Sequence, residues 1–253
     1  MATKQDVAKR NNTLLYEDET SIDAEGFEQA DLMIPRISIL QPLSPELNKQ
    51  DAKYIKGAEA GAILHSVSKE LVDGDKGITV VPIRYRRAYV EWRPDRKGGG
   101  PVRDHGNDAS ILEQCEFDSE NFTHTTSEGN EIVTNGEYLI FIIDEDGEFE
   151  PALLAMSKSQ LKKSRRWNSM IANLKIKKPN NGGFFTPAMF YSAYHLSTLP
   201  ESNDKGHWFG WEIEMLHGNS GGILENYPNG EKMYLSARSY KSKEIKAAPE
   251  EAF

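Results

Sequence analysis

Two segments of the chain combine positive charge with aromatic side chains, which is the chemistry of anion binding. The run from Lys158 to Lys178 holds eight bases and no acid, and the run from Arg84 to Lys97 holds six bases and two acids. The whole chain has a formal net charge of −9. An acidic protein that confines its positive charge to such segments attracts a polyanion there and repels it elsewhere. The two segments are therefore the candidate binding site.

The segment from Arg84 to Lys97 has the composition of a groove for single-stranded nucleic acid, because aromatic residues are interleaved with arginines. Cations neutralise the phosphates in such a groove, and rings stack on unpaired bases at ~1–3 kcal/mol per base. The alternative is an edge strand protected by its charges, with the tyrosines in the core. We predict contacts with single-stranded nucleic acid by eight residues of this segment: Arg84, Tyr85, Arg86, Arg87, Tyr89, Trp92, Arg93 and Arg96.

The segment from Lys158 to Lys178 is predicted to begin as a helix that Ser157 caps and that ends near Leu174. At ~100° per residue, its apolar side chains fall on one side and most of its bases on the other. A surface helix usually mixes charges between residues i and i+4, whereas this one contains no acid. A solvated basic face is the alternative to an anion-binding one. We predict phosphate contacts by six residues of the helix and of the segment that follows it: Lys162, Arg165, Arg166, Lys175, Lys177 and Lys178.

The aromatic residues that follow this helix are expected in two different environments. Residues 184–197 are predicted to form one long aromatic strand, bent at Pro187, and its rings are expected to lie mainly in the core. Trp208 comes just after a loop, so we predict that its ring is exposed and contacts the nucleic acid.

No motif in the sequence points to catalysis or to a bound metal. The acidic run 144–148 is a poor match to a calcium loop, because Ala155 stands where the loop needs a bidentate Glu, and Asp146-Gly147 is typical of a hairpin turn. The six histidines and Cys115 lack the spacing of zinc ligands. We therefore predict no catalytic residue, no metal, no cofactor and no enzyme activity. A Mg²⁺-dependent nuclease that uses the carboxylates near Asp144 is the alternative.

The elements that must position these residues are predicted to be mainly strands. Ile78 to Ile83 is rich in β-branched residues, and this strand is expected to run on towards Trp92. Glu137 to Ile143 is apolar on both faces, which indicates a central buried strand. Phe149 to Met156 follows as its hairpin partner, before the helix and two further strands. This order predicts a mainly β fold with few helices, an OB-fold-like Greek-key barrel. An α+β sheet with one packed helix is the alternative.

The rest of the chain is predicted to consist of extensions and an insertion. Residues 1–31 are expected to form a disordered acidic N-terminal tail, 32–246 the OB-fold-like domain, and 247–253 an acidic C-terminal tail that ends in Phe. The stretch Glu113–Glu150 contains twelve acids and no base, and it is expected to be an acidic insertion in the barrel.

The sequence contains neither a membrane span nor a secretion signal. No apolar run approaches the ~20 residues that cross a bilayer, and the first ten residues lack the apolar core of a signal peptide. The single cysteine, Cys115, excludes an intrachain disulfide. We therefore predict a cytoplasmic protein without membrane contact.

Several stretches resemble a known group of proteins. The sequences IPRISILQPLSP (34–45), VVPI (80–83) and YVEW (89–92) resemble phage-encoded single-stranded DNA-binding proteins with an OB-fold, over about the middle two-thirds of the chain. The resemblance implies a protein that coats single-stranded DNA without sequence preference in phage DNA replication, recombination or repair. The acidic insertion departs from a minimal OB-fold barrel. The sequence leaves open whether the protein forms a homodimer.

The end of the chain, PEEAF (249–253), resembles the acidic tails of bacterial and phage single-stranded DNA-binding proteins, with fewer acids than is usual there. In that family the tail docks on replication and recombination proteins. The resemblance implies partner binding by Glu250, Glu251 and Phe253. A phage protein that binds a host factor and no nucleic acid is a further alternative.

Overall fold

The computed structural model describes residues 33–94, 100–120, 123–178, 182–204, 206–217 and 222–242. The chain separates at Met33 and Ile34 into two units, and all described elements belong to the second. The predicted tails at 1–31 and 247–253 lie outside the described residues, as does Arg96.

Thirteen strands and three α-helices make up the described part of the chain. The strands are β1 (Arg36–Ile39), β2 (Ile63–His65), β3 (Leu71–Val72), β4 (Ile78–Trp92), β5 (Arg103–Asp104), β6 (Glu116–Asp118), β7 (Thr123–Thr125), β8 (Glu131–Ile143), β9 (Phe149–Ser157), β10 (Ile176–Lys177), β11 (Phe184–Phe185), β12 (Tyr194–Asn203) and β13 (Gly206–Met215). The helices are α1 (Leu161–Asn173), α2 (Gly222–Asn226) and α3 (Gly230–Ser242). The mainly β character with few helices is confirmed, and none of the described helices is long and apolar enough to cross a membrane.

Eleven strands form one strongly curled sheet, which has the shape of a half-barrel. Its main order is β13-β12-β4-β8-β9-β1-β2-β3, while β5 pairs with β4 and the β6–β7 hairpin with β8. The antiparallel pair β4–β8 extends from Thr79 opposite Ile143 to Trp92 opposite Glu131. A bulge between Pro82 and Arg84 interrupts it once, which increases the local twist. β1 joins β9 in parallel.

Side chains from the two ends of the sheet meet in one core. Ile37 and Ile63 come from one end and Trp211 from the other, and all three belong to the same buried cluster. Gln41, in the loop after β1, links the ends directly, because its Nε2 donates to the carbonyl of Phe209 (3.0 Å) and its Oε1 accepts from the Phe209 amide (2.9 Å). These contacts fix the curl of the sheet.

Strand β8 is buried on both faces, which confirms the prediction of a central strand. Tyr138 faces the cluster that contains Trp167 of α1, whereas Phe141 faces the cluster that contains Met233 of α3. The acidic stretch Glu113–Glu150 is therefore not an insertion throughout. Its second half supplies β8, the turn and the start of β9, and only the part that includes β6 and β7 lies beside the main strand order.

The predicted boundaries were wrong at two places near the helix. Ser157 makes no side-chain capping bond, and a 3₁₀ turn at Lys158–Gln160 precedes α1. Lys158 has φ of 49°, outside the helical region, so the α-helix starts only at Leu161. The predicted long strand at 184–197 is divided into β11, a 3₁₀ turn at Met189–Tyr191 and β12.

Candidate nucleic-acid interface

Helix α1 packs on the curled sheet through the apolar side that the sequence predicts. Trp167 is fully buried, and its ring stacks on Tyr138 of β8 with 4.4 Å between centroids. The Tyr138 hydroxyl lies 2.9 Å from Ser164 Oγ and 3.0 Å from Asn168 Oδ1. Ser164 lies so close to Gly136 of β8 that a Cβ at that glycine would clash with it. The helix therefore has one defined position on the sheet.

A second set of polar contacts ties the first turn of α1 to the β12–β13 hairpin. Lys163 Nζ lies 2.8 Å from Glu201 Oε1, and Trp208 Nε1 donates to Glu201 Oε2 at 2.7 Å. Burial by itself raises the pKa of Glu201, but the hydrogen bonds from Lys163, Trp208 and Gln160 and the Lys163 charge together lower it. Trp208 is thus half-buried and partnered, so it offers less free ring than the sequence predicts.

The opposite side of α1 presents three bases to solvent. Lys162, Arg165 and Arg166 are all exposed. No Asp or Glu occurs from Pro151 to Pro200, so the helix itself provides no acid to pair with them. The predicted division of α1 into an apolar and a basic side is confirmed, whereas DNA contact by these bases stays a prediction.

Strand β4 divides the other predicted residues between the two faces of the sheet. Tyr85 lies opposite Tyr138 with 5.0 Å between ring centroids, so it faces the α1 side together with Arg87 and Tyr89. Arg84 and Arg86 face the other side by strand alternation. The sequence pattern assigned all five residues to one groove. The alternation of side chains along β4 instead puts three of them on one face of the sheet and two on the other.

Two of the residues on β4 have structural contacts that compete with a role in DNA binding. Arg86 lies 2.7 Å from both Glu137 Oε2 and Asp104 Oδ2. Tyr89 is only 5% exposed, so its ring is covered by the protein and leaves little surface for a base. Of the remaining predicted residues on this segment, Trp92 is half-buried and Arg93 is exposed.

The position of Arg87 relates the first basic segment to α1. It is exposed and lies opposite Gly136, the same glycine that Ser164 of α1 covers. Hydrogen bonding to Tyr89 and Tyr85 raises the pKa of the Arg87 guanidinium, which keeps its full charge. Arg87 and α1 therefore share one face of the sheet.

Glu91, an acid within the first segment, is buried and hydrogen-bonded inside the fold. It is 8% exposed, and its carboxylate lies 2.8 Å from His105 Nε2 and 2.8 Å from Asn130 Nδ2. Burial alone raises the pKa of Glu91, but these hydrogen bonds together with the charges of His105 and Arg103 lower it. The Glu91 carboxylate is therefore held inside the fold and is not exposed on the surface of β4.

The three lysines after α1 lie on a small hairpin that sequence reasoning did not foresee. Strands β10 and β11 pair only with each other among the described strands. The prediction that the rings of residues 184–197 lie in the core was wrong for Phe184 (69% exposed) and Phe185 (40%), whereas it is confirmed for Phe190 (3%) and Tyr194 (1%). Two-residue strands cover too little surface to bury a ring, and the Gly182-Gly183 turn before them was the signal for a short hairpin.

The described residues form no group of three or more His, Cys, Asp or Glu side chains that could hold a metal ion. The exposed cations on α1, Arg87 and the hairpin lysines are instead suited to bind phosphates by charge and hydrogen bonds.

A family model described as Pam3 phage gp34-like protein matches residues 3–245 of the chain. Neither the curated proteins nor the solved structures contain a match.

Proposed function

The chain belongs to the Pam3 phage gp34-like protein family, and from this premise we propose that it is a single-stranded DNA-binding protein of the phage. It coats single-stranded DNA without sequence preference during phage DNA replication or recombination in the host cytoplasm. It carries out no catalysis.

The exposed basic side of α1 is the observation that carries this proposal. Its bases project from a helix that Trp167 and Ser164 pack on the sheet, so the backbone positions of these residues are set before a ligand arrives. Arg87 extends the same face on β4. A row of cations in an otherwise acidic chain favours a polyanion.

The strand connections support an OB-fold-like barrel as the scaffold for this surface. Its five main strands are β4, β8, β9, β12 and β13, with α1 between the third and the fourth. β4 pairs with both β8 and β12, which places the first strand between the second and the fourth. OB-folds bind oligonucleotides on barrels of this kind.

Partner recruitment through Glu250, Glu251 and Phe253 is the second part of the proposal. It is supported by the resemblance of PEEAF to the tails of single-stranded DNA-binding proteins. These residues lie outside the described part of the chain. Deletion of 249–253 is expected to remove capture of phage or host replication proteins after nuclease treatment, while DNA affinity persists.

An electrophoretic mobility shift with single-stranded DNA, single-stranded RNA and duplex DNA tests the DNA-binding proposal. We expect the wild type to shift single-stranded DNA at lower concentration than duplex, and the variant R165E/R166E to shift it only weakly. K53E/K56E is the matched control, because it makes the same change of net charge at exposed lysines far along the chain from α1. Equal loss in both variants would show that only total charge matters and would reject the α1 surface.

A further inference from the structure

The β10–β11 hairpin places an aromatic ring beside two lysines on one of its faces. Lys177 lies directly opposite Phe184, and directly opposed residues in a strand pair project to the same face. Lys175 and Thr186 continue this face by one step, and Lys175 Nζ donates to Thr186 Oγ1. The other face carries Ile176 opposite Phe185. The first face therefore combines two ammonium groups with the most exposed of the aromatic rings on the hairpin.

The charge around this ring restricts what can cover it. All three charged residues of the hairpin are lysines. The sequence contains no Asp or Glu from Pro151 to Pro200, which includes the hairpin. A basic partner is repelled by such a surface, and a purely apolar partner would have to desolvate the lysines. Single-stranded nucleic acid fits both the exposed ring and the lysines of this face. Its unpaired bases can stack on the ring, and its phosphates can pair with the ammonium groups.

The hairpin also follows α1 almost directly. Only Leu174 and Lys175 separate the end of α1 at Asn173 from the start of β10 at Ile176. Leu174 is 9% exposed, so this connection is anchored in the fold. A nucleic-acid strand that contacts the basic residues of α1 therefore has only a short distance to reach the hairpin.

We infer that the β10–β11 hairpin is a base-stacking arm, in which Phe184 stacks on an unpaired base while Lys177 and Lys175 contact the neighbouring phosphates. This inference rests on the proposed single-stranded DNA binding and adds a contact with the bases themselves. Duplex DNA lacks an accessible base face, so the arm favours single strands over duplexes.

Fluorescence anisotropy of the full chain with oligothymidine, and with an abasic oligomer of the same length, tests the arm. F184A is expected to bind oligothymidine about 5- to 150-fold more weakly than the wild type, which corresponds to ~1–3 kcal/mol for one stacked base. The same variant is expected to bind the abasic oligomer as the wild type does. K177A is expected to weaken binding to both oligomers, because it removes a phosphate contact.

F117A is the matched control, since Phe117 is 51% exposed but lies between Glu116 and Asp118 on β6. It is expected to bind oligothymidine like the wild type. If F184A also binds oligothymidine like the wild type, or loses equal affinity for both oligomers, the stacking arm is wrong while the proposed function stands. If the wild type does not bind oligothymidine at all, the proposed function fails and the arm with it.

Discussion

Lys163 of α1 and Glu201 of β12 form an ion pair with 2.8 Å between Nζ and Oε1, and this pair divides the bases of α1 into two groups. Lys163 fastens the helix to the β12–β13 hairpin. Lys162, Arg165 and Arg166 remain exposed on the outer side. The structural base Lys163 thus lies within the same short stretch of the helix as the three candidate binding bases.

Replacing Glu201 with Gln is expected to lower the free energy of unfolding by about 1–2 kcal/mol at neutral pH, because Lys163 and Trp208 lose a charged acceptor. The folded pKa of Glu201 lies below its ordinary value of 4.5. Its stabilising contribution is therefore complete above pH 4.5 and is lost as the pH falls through the folded pKa. Urea denaturation at pH 7 and below pH 4.5 measures both effects.

The matched control for this substitution is E145Q, which breaks the exposed pair between Lys76 and Glu145. Exposed pairs contribute little, so a much smaller change is expected. An E201Q variant whose loss of stability, relative to the wild type, is as large below pH 4.5 as at neutral pH would contradict the role given to the Glu201 charge.

Arg86 and Arg87 are neighbours with different expected roles. R86A is expected to destabilise the protein by about 1–2 kcal/mol, because Glu137 and Asp104 lose their shared partner. R87A is expected to change stability little and to weaken binding of single-stranded DNA. The slope of log affinity against log salt concentration is expected to become shallower by about 0.7, because one phosphate contact is lost. Denaturation and anisotropy on both variants separate the roles. The reverse assignment, with R86A impairing DNA binding and R87A unfolding the protein, would refute this account of β4.

Gly136 is expected to tolerate no side chain. In G136A the new Cβ meets Ser164, so either α1 or β8 must shift, at a cost of about 1–3 kcal/mol. Because α1 carries the candidate bases, the variant is also expected to bind single-stranded DNA more weakly. Addition of S164A removes the nearest atom, and the double variant is expected to be more stable than the sum of the single effects predicts. Strict additivity in thermal denaturation would show that the two residues are not in contact.

Periodicity predicted the parts of the fold that bury continuous apolar surface. The two apolar faces of Glu137–Ile143 identified β8 as the central strand, and the 100° pattern around Trp167 identified the inner side of α1. Both predictions depend only on which side chains of a segment are buried. The spacing of apolar residues within that segment carries this information.

Contacts between distant segments could not be predicted in the same way. The pairing of Arg86 with Glu137 joins residues that only the β4–β8 register brings together. The exposure of Phe184 depends on the absence of a covering layer among the described residues, which composition does not reveal. Strand alternation directs neighbouring residues of β4 to opposite faces of the sheet, and the composition of the segment does not show this.

The most direct test of the account is a salt titration of oligothymidine binding by the wild type, with R165E/R166E and K53E/K56E alongside it. We predict that log affinity falls linearly with log salt concentration, with a slope of about −0.7 for each phosphate contacted. The slope is expected to be shallower in R165E/R166E and unchanged in K53E/K56E, with weaker binding of duplex DNA throughout. Affinity that does not depend on salt, or that is higher for duplex than for oligothymidine, would contradict the central claim.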